Sequence, residues 1–112
     1  MRIYHNPRCS KSRQTLAILK ENGLEPEVVL YMDRTLTPND LISLLIKLQM
    51  NPIQLVRRSE AIWKANFKGK TLTDAEIIAA MIANPKLIER PIVVKGKRAV
   101  LGRPPENVLE LI

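Results

Sequence analysis

Hydrophobic and polar positions alternate at the start of the chain and then change period twice. Met1-Arg2-Ile3-Tyr4 alternates and predicts a short strand. From Gln14 to Asn22 the run Q-T-L-A-I-L-K-E-N sets leucines at 16 and 19 among polar residues, the spacing of a helix. That helix is expected to begin just after Cys9 and to be closed by Gly23 as a C-terminal cap. Glu27 to Met32 (E-V-V-L-Y-M) is an apolar run with β-branched residues and predicts a buried strand. Strand, helix and strand within about 32 residues make a βαβ unit, which implies a parallel pair.

The middle of the chain reads as helical. Thr37 is a good N-cap, Pro38 suits the first helical position, and L-I-S-L-L-I-K-L carries the apolar stripe up to a break at Asn51-Pro52. A short helix is expected from Pro52 to about Glu60. Thr73-Asp74-Ala75-Glu76 is a capping box ahead of apolar positions 77, 78, 81 and 82, and Asn84-Pro85 ends that helix. The period then returns to that of strands. Pro91-Ile92-Val93-Val94 and Ala99-Val100-Leu101 flank K-G-K-R, a hairpin with Gly96 in its turn. Pro104-Pro105-Glu106 opens a last helix, N-V-L-E-L-I. The order βαβ, helices, ββα predicts an α/β fold: a mixed four-stranded sheet flanked by helices, in one domain over 1–112 with a helical insertion over about 36–88.

Composition narrows the function classes. One cysteine among 112 residues rules out an internal disulfide framework and suits a reducing compartment. No apolar run reaches signal-peptide or membrane-span length, so a cytoplasmic protein with no membrane partner is expected, and a monomer. The net charge of +7 favours anionic ligands. The basic residues are dispersed, and only Tyr4, Tyr31, Trp63 and Phe67 are aromatic, a poor base-stacking platform; no nucleic-acid partner is expected.

The chemistry concentrates in Y-H-N-P-R-C-S-K-S-R, residues 4–13, which holds the only cysteine, Cys9, and the only histidine, His5. A cysteine between a strand and a helix N-terminus meets free backbone N–H groups and roughly half a positive charge. Such placement can lower a thiol pKa from about 8.5 to between ~3.5 and ~7.5. Arg8, Lys11 and Arg13 add positive potential, and Pro7 stiffens the loop. The same N–H groups bind tetrahedral oxyanions. A lone cysteine is commonly a small buried hydrophobe, but the neighbours of Cys9 are Pro, Arg, Ser and Lys rather than apolar residues. His5 is either a strand-end histidine held by the backbone or a group that stabilises the thiolate or shuttles its proton. The position of Cys9 selects a thioredoxin-like arrangement among small α/β sheets.

Spacing removes other chemistries. Cys9-Ser10-Lys11-Ser12 is Cys-x-x-Ser, so no dithiol couple operates within the chain. A phosphatase loop would need arginine at position 15, where this chain has Thr15. One cysteine and one histidine are too few for a structural zinc, and no metal is expected.

H-N-P-R-C-S-K-S-R, E-R-P-I-V-V at 89–94 and L-G-R-P-P-E at 101–106 together resemble the glutaredoxin-coupled arsenate reductase family, over nearly the whole chain from Ile3 to Leu111. The resemblance implies a nucleophilic Cys9, a catalytic His5, and oxyanion-binding arginines at Arg57 (in L-V-R-R-S, beside Arg58), Arg90 and Arg103, with Ser12 as a further substrate-binding residue. It also implies a cis peptide before Pro91, a place where cis costs little. Guanidinium groups suit tetrahedral oxyanions through paired hydrogen bonds. The implied reaction is reduction of arsenate to arsenite. Cys9 is the single nucleophile, glutathione the co-substrate and glutaredoxin the partner that resolves the mixed disulfide; no bound cofactor is implied. Two other readings stay open at this point: a monothiol thiol–disulfide oxidoreductase not specific for arsenate, and a thiol-stress regulator that binds RNA polymerase. The latter typically carries a second cysteine where this chain has Ser12.

Overall fold

The computed structural model describes residues 1–112. They form two compact units: Met1–Arg34 with Arg90–Ile112, and Thr35–Glu89.

The first unit holds the sheet. Strands β1 (Arg2–Tyr4), β2 (Glu27–Val29), β3 (Ile92–Lys95) and β4 (Arg98–Leu101) lie in the order β2-β1-β3-β4. β1 pairs parallel with β2, Ile3 opposite Val28, and antiparallel with β3, Ile3 opposite Val93. β3 and β4 form the expected hairpin, closed by Lys95 opposite Arg98 around Gly96-Lys97. Helix α1 (Ser10–Glu21) joins β1 to β2, as the leucine spacing predicts. Its end is a Schellman motif: Leu24 N–H reaches the Leu19 carbonyl (3.0 Å) and Gly23 N–H that of Lys20 (3.0 Å). Gly23 sits at φ +77°, a conformation glycine enters without steric cost. Ile3, Leu19, Val93, Val108 and Leu111 build the core of this unit, with Leu16, Ile18, Leu24 and Val100 packed around it. Ile3 is fully buried, and truncating it to alanine would cost about 2–5 kcal/mol.

Two elements of this unit differ from expectation. The apolar run 27–32 is a strand only as far as Val29, and it is not a buried one: β2 is an edge, with Val28 43% and Leu30 40% exposed. Its partner β1 ends at Tyr4. After the His5 N–H bonds the Val29 carbonyl (2.9 Å), the chain turns, with Asp33 N–H on the Leu30 carbonyl (3.0 Å). The last helix is a 3₁₀ helix, Pro105–Leu111, with Pro at its first position. The Arg90–Pro91 peptide is cis, as expected, and so is Arg103–Pro104, which was not foreseen.

The second unit is helical. Helix α2 (Pro38–Leu48) is capped reciprocally: Asp40 N–H donates to Thr37 Oγ1 (3.1 Å) and Thr37 N–H to Asp40 Oδ2 (2.9 Å). It stops at Gln49 in the left-handed region, φ 57°, ahead of the Asn51-Pro52 break. Helix α3 is only Pro52–Leu55, because Val56 then pairs as an isolated bridge with Ile88. A further helix, α4 (Ala61–Asn66), carries Trp63 stacked on Phe67 at 5.3 Å. Helix α5 (Asp74–Ala83) starts at the predicted box, with Glu76 N–H on Thr73 Oγ1 (3.2 Å) and Thr73 N–H on Glu76 Oε1 (3.0 Å). Leu41, Leu44, Leu45, Leu55, Ile77, Met81 and Leu87 are among the buried apolar residues of this unit. No helix of either unit is long and apolar enough to cross a membrane.

Candidate active site

Cys9 is the N-cap of α1, with extended backbone (φ −95°, ψ 123°). Its N–H bonds the Asn6 carbonyl (3.0 Å) and its own carbonyl accepts the Arg13 N–H (3.0 Å), so the residue is pinned on both sides while the thiol remains half-buried and unbridged. The loop before it is an Asn-stabilised turn, Arg8 N–H donating to Asn6 Oδ1 (3.0 Å). Arg13 Nη1 holds the Pro7 carbonyl (2.8 Å).

Three groups converge on the sulfur. The Ser12 and Lys11 N–H groups in the first turn of α1 and the Arg90 guanidinium favour its thiolate form, although the thiol makes no capping hydrogen bond to the helix. Arg103 Nη1 approaches to 3.9 Å and also donates to the Arg90 carbonyl (3.2 Å). Partial burial pushes the thiol pKa up. The Ser12 N–H, the Arg90 side chain, the Lys11 N–H and the Arg90 charge outweigh it, and the net pKa lies below the ordinary value. The surroundings thus favour a thiolate flanked by guanidinium donors, a setting that also suits a bound anion.

Behind the loop, Ser12 is fully buried. Its Oγ lies 2.6 Å from His5 Nδ1 and accepts the Asn6 N–H (3.0 Å). Expected as a substrate-binding side chain, Ser12 instead commits its hydroxyl to the loop; its backbone N–H is what favours the Cys9 thiolate. His5 is 6% exposed. Burial first, then the charges of Arg13 and Lys20, lower its pKa from 6.5. His5 therefore stays neutral in the folded state while an unfolded chain would protonate it as pH falls through about 6.5. The unfolded state then binds more protons, so stability drops below that pH and is unaffected above it. Urea unfolding across pH 5–8 should show this acid-side loss in the wild type, and His5→Asn should lack that part of the slope; equal slopes would remove His5 as the group responsible.

Arg57 lies in the helical unit. Its N–H bonds the Leu87 carbonyl (2.6 Å) and its Nε pairs with Glu60 (3.5 Å); it is the half-buried member of the pair, whereas Arg58 is exposed. The structure brings Cys9, Arg90 and Arg103 together in the first unit, with His5 and Ser12 beneath the loop. No group of three or more His, Cys, Asp or Glu side chains has metal-site geometry.

Other residues shape the site without having been singled out. Asn107 Nδ2 donates to the carbonyls of Leu101 (3.3 Å) and Arg103 (3.2 Å). Thr15, fully buried, donates from Oγ1 to the Lys11 carbonyl (2.8 Å), with a longer contact to the Gly102 carbonyl (3.4 Å). Gly102 N–H bonds the Pro91 carbonyl (2.9 Å). The only sequence signal for them was G-R-P-P at 102–105.

A mixed sheet in the order β2-β1-β3-β4, with a cysteine at the N-cap of its first helix and a cis-proline just ahead of β3, defines a thioredoxin-like protein. The sequence profile of the ArsC family matches residues 4–111, and the chain belongs to that family. It is 52% identical to YfgD of Escherichia coli strain K12, over 100% of this chain and 96% of that one. It is 43% identical to the arsenate reductase of Haemophilus influenzae, over 98% and 97%. Among solved structures, the arsenate reductase of Vibrio cholerae superposes with a TM-score of 0.94 at 44% identity, covering 99% of this chain and 96% of that one.

Proposed function

We propose that the protein is an arsenate reductase that uses Cys9 as its only protein nucleophile and takes the second thiol from glutathione. The observation that carries the reading is Cys9 at the N-cap of α1 with Arg103 Nη1 3.9 Å from its sulfur; Arg90 and the first-turn N–H groups further favour its thiolate. Full-length identity of 43% to an arsenate reductase supports the substrate. In this reading, arsenate docks on the arginines and the helix N-terminus. The Cys9 thiolate attacks arsenic, and one arsenate oxygen takes a proton and leaves as water, forming an S–As bond. Glutathione then supplies the second sulfur. The two sulfurs join as a Cys9–glutathione disulfide, the electron pair of the S–As bond stays on arsenic, and arsenic(V) leaves as arsenite. Two thiols have then become one disulfide, a two-electron oxidation matching the reduction of arsenic. Glutaredoxin reduces the mixed disulfide and regenerates the thiolate.

Arg90 and Arg103 stabilise the anionic oxygens as the S–As bond forms. A depressed thiol pKa keeps Cys9 ionised and makes it a better leaving group when glutaredoxin attacks. His5 and Ser12 act as positioning residues through the Ser12 N–H. The test is arsenate-dependent turnover with glutathione and glutaredoxin added and omitted in turn. Turnover should need both. Activity on a glutathione mixed disulfide with none on arsenate would replace this reading by that of a general monothiol oxidoreductase.

A further inference from the structure

Gly102 has an ordinary backbone φ but no room for a side chain. A methyl built there would lie 2.5 Å from Thr15 Oγ1, 2.8 Å from Pro91 Cγ and 3.0 Å from Thr15 Cγ2. Such contacts are far inside van der Waals separation, and close-packed interiors do not absorb them without movement. Thr15 therefore fills the space between α1 and the end of β4, and Pro91 closes it from the third side. The neighbours of these residues are what give the contact meaning. Gly102 immediately precedes Arg103, and Pro91 immediately follows Arg90. Thr15 stands one turn along α1 from Lys11, in the first turn of the helix that Cys9 caps, and bonds the Lys11 carbonyl. Gly102 and Pro91 are themselves joined by the 2.9 Å backbone hydrogen bond.

We propose that Thr15 and Gly102 are positioning residues that set the distance from both guanidinium groups to the Cys9 sulfur. Neither touches the thiol. One buried contact spaces the helix that carries the nucleophile from the two chain segments that carry Arg90 and Arg103. The Thr15 hydroxyl has one proton, given chiefly to Lys11 at 2.8 Å, so its grip on Gly102 is mainly packing. The contact is consequently a size match: overfilling from Gly102 or emptying at Thr15 both displace the arginines. Its bearing on turnover rests on the arsenate-reductase reading; its bearing on the thiol does not.

The experiment uses Gly102→Ala, Thr15→Ala and the double variant in the full chain, each checked for folding by circular dichroism. Thiolate ultraviolet absorbance against pH is read first, then kcat and KM for arsenate. Each single variant should raise the Cys9 pKa toward that of an ordinary thiol and lower kcat/KM on the order of ten- to a hundredfold, as small displacements in a positioned site do. The double variant, which removes the two Thr15 contacts and leaves only the one to Pro91 Cγ, should lie part of the way back from Gly102→Ala toward wild type in both readouts. A purely structural role would lower stability and leave the thiol pKa of the folded protein unchanged. Folded single variants with a wild-type thiol pKa overturn the proposal. Should Gly102→Ala fail to fold, Thr15→Ala against Thr15→Ser decides it: serine keeps the bond to Lys11 and most of the filled volume, so its pKa should lie nearer wild type, and equal pKa values overturn the proposal. If the pKa pattern holds but no variant, wild type included, reduces arsenate, the positioning role stands and the functional reading falls.

Discussion

Cys9→Ser is expected to abolish arsenate reduction at any glutathione concentration while leaving the fold intact. Serine differs from cysteine by one atom, and the N-cap position of α1 tolerates it well, since serine is a favoured N-cap. The variant should therefore unfold at or slightly above the wild-type denaturant midpoint. What it loses is a soft, ionisable nucleophile. A hydroxyl at that site stays protonated where the thiol is held below its ordinary pKa by the Ser12 and Lys11 N–H groups and Arg90. No other cysteine exists to take over. A coupled assay with glutathione and glutaredoxin in excess checks this, and so does trapping: the wild type should form a glutathione mixed disulfide detectable by mass, and the variant none. Residual turnover above the uncatalysed rate in Cys9→Ser would move the chemistry off this residue altogether.

Arg90→Ala and Arg103→Ala are expected to lower kcat/KM for arsenate by about ten- to a hundredfold each, the loss of one charge-assisted hydrogen bond in the transition state at about 1.5–3 kcal/mol. The two should differ in their effect on the thiol. Arg90 is the side chain that lowers the Cys9 pKa, through its donors and its charge. Arg103 Nη1 stands at 3.9 Å and divides its contact with the Arg90 carbonyl. Arg90→Ala should thus raise the Cys9 pKa clearly, whereas Arg103→Ala should act mostly on KM and kcat. The pH dependence of alkylation by iodoacetamide reports the first effect, and steady-state kinetics report the second. Arg103→Lys keeps the charge but not the planar fork, and should recover only part of the loss. Wild-type kinetics in both alanine variants would remove the guanidinium clamp from the mechanism.

The elements that signal themselves locally were legible from sequence. Thr37-Pro38 and Thr73-x-x-Glu76 cap their helices because a short side chain and a carboxylate three residues on satisfy backbone donors within one turn, with no help from the rest of the chain. The Gly96 hairpin and the helix starting after Cys9 are local in the same sense. Elements whose limits depend on a partner were misread. The run 27–32 keeps its apolar character to Met32, but β1 offers pairing only to Tyr4, so the strand ends at Val29. Pro52 to Glu60 reads as one helix, yet Val56 leaves it for its bridge to Ile88, 32 positions later, and α4 starts separately at Ala61. No local pattern encodes a contact of that separation.

The candidate site divides along the same line. The place of the candidate thiol was readable from ten residues, because a cysteine between a strand and a helix falls at the helix N-terminus, where free N–H groups favour a thiolate. The role of Ser12 was not readable: from sequence it is a hydroxyl three residues from the nucleophile, and only burial against His5 and the Asn6 N–H shows that the hydroxyl is already spent. The same holds for Thr15 and Gly102, 87 positions apart, which meet only because α1 packs where β4 ends. Sequence alone determined where the thiol meets the helix N-terminus, since that placement resides in one residue and its covalent neighbours. The tertiary structure decided the geometry, since the groups that face the sulfur from Arg90 and Arg103 are brought there by strand pairing and by a buried contact whose fit is measured in tenths of an ångström.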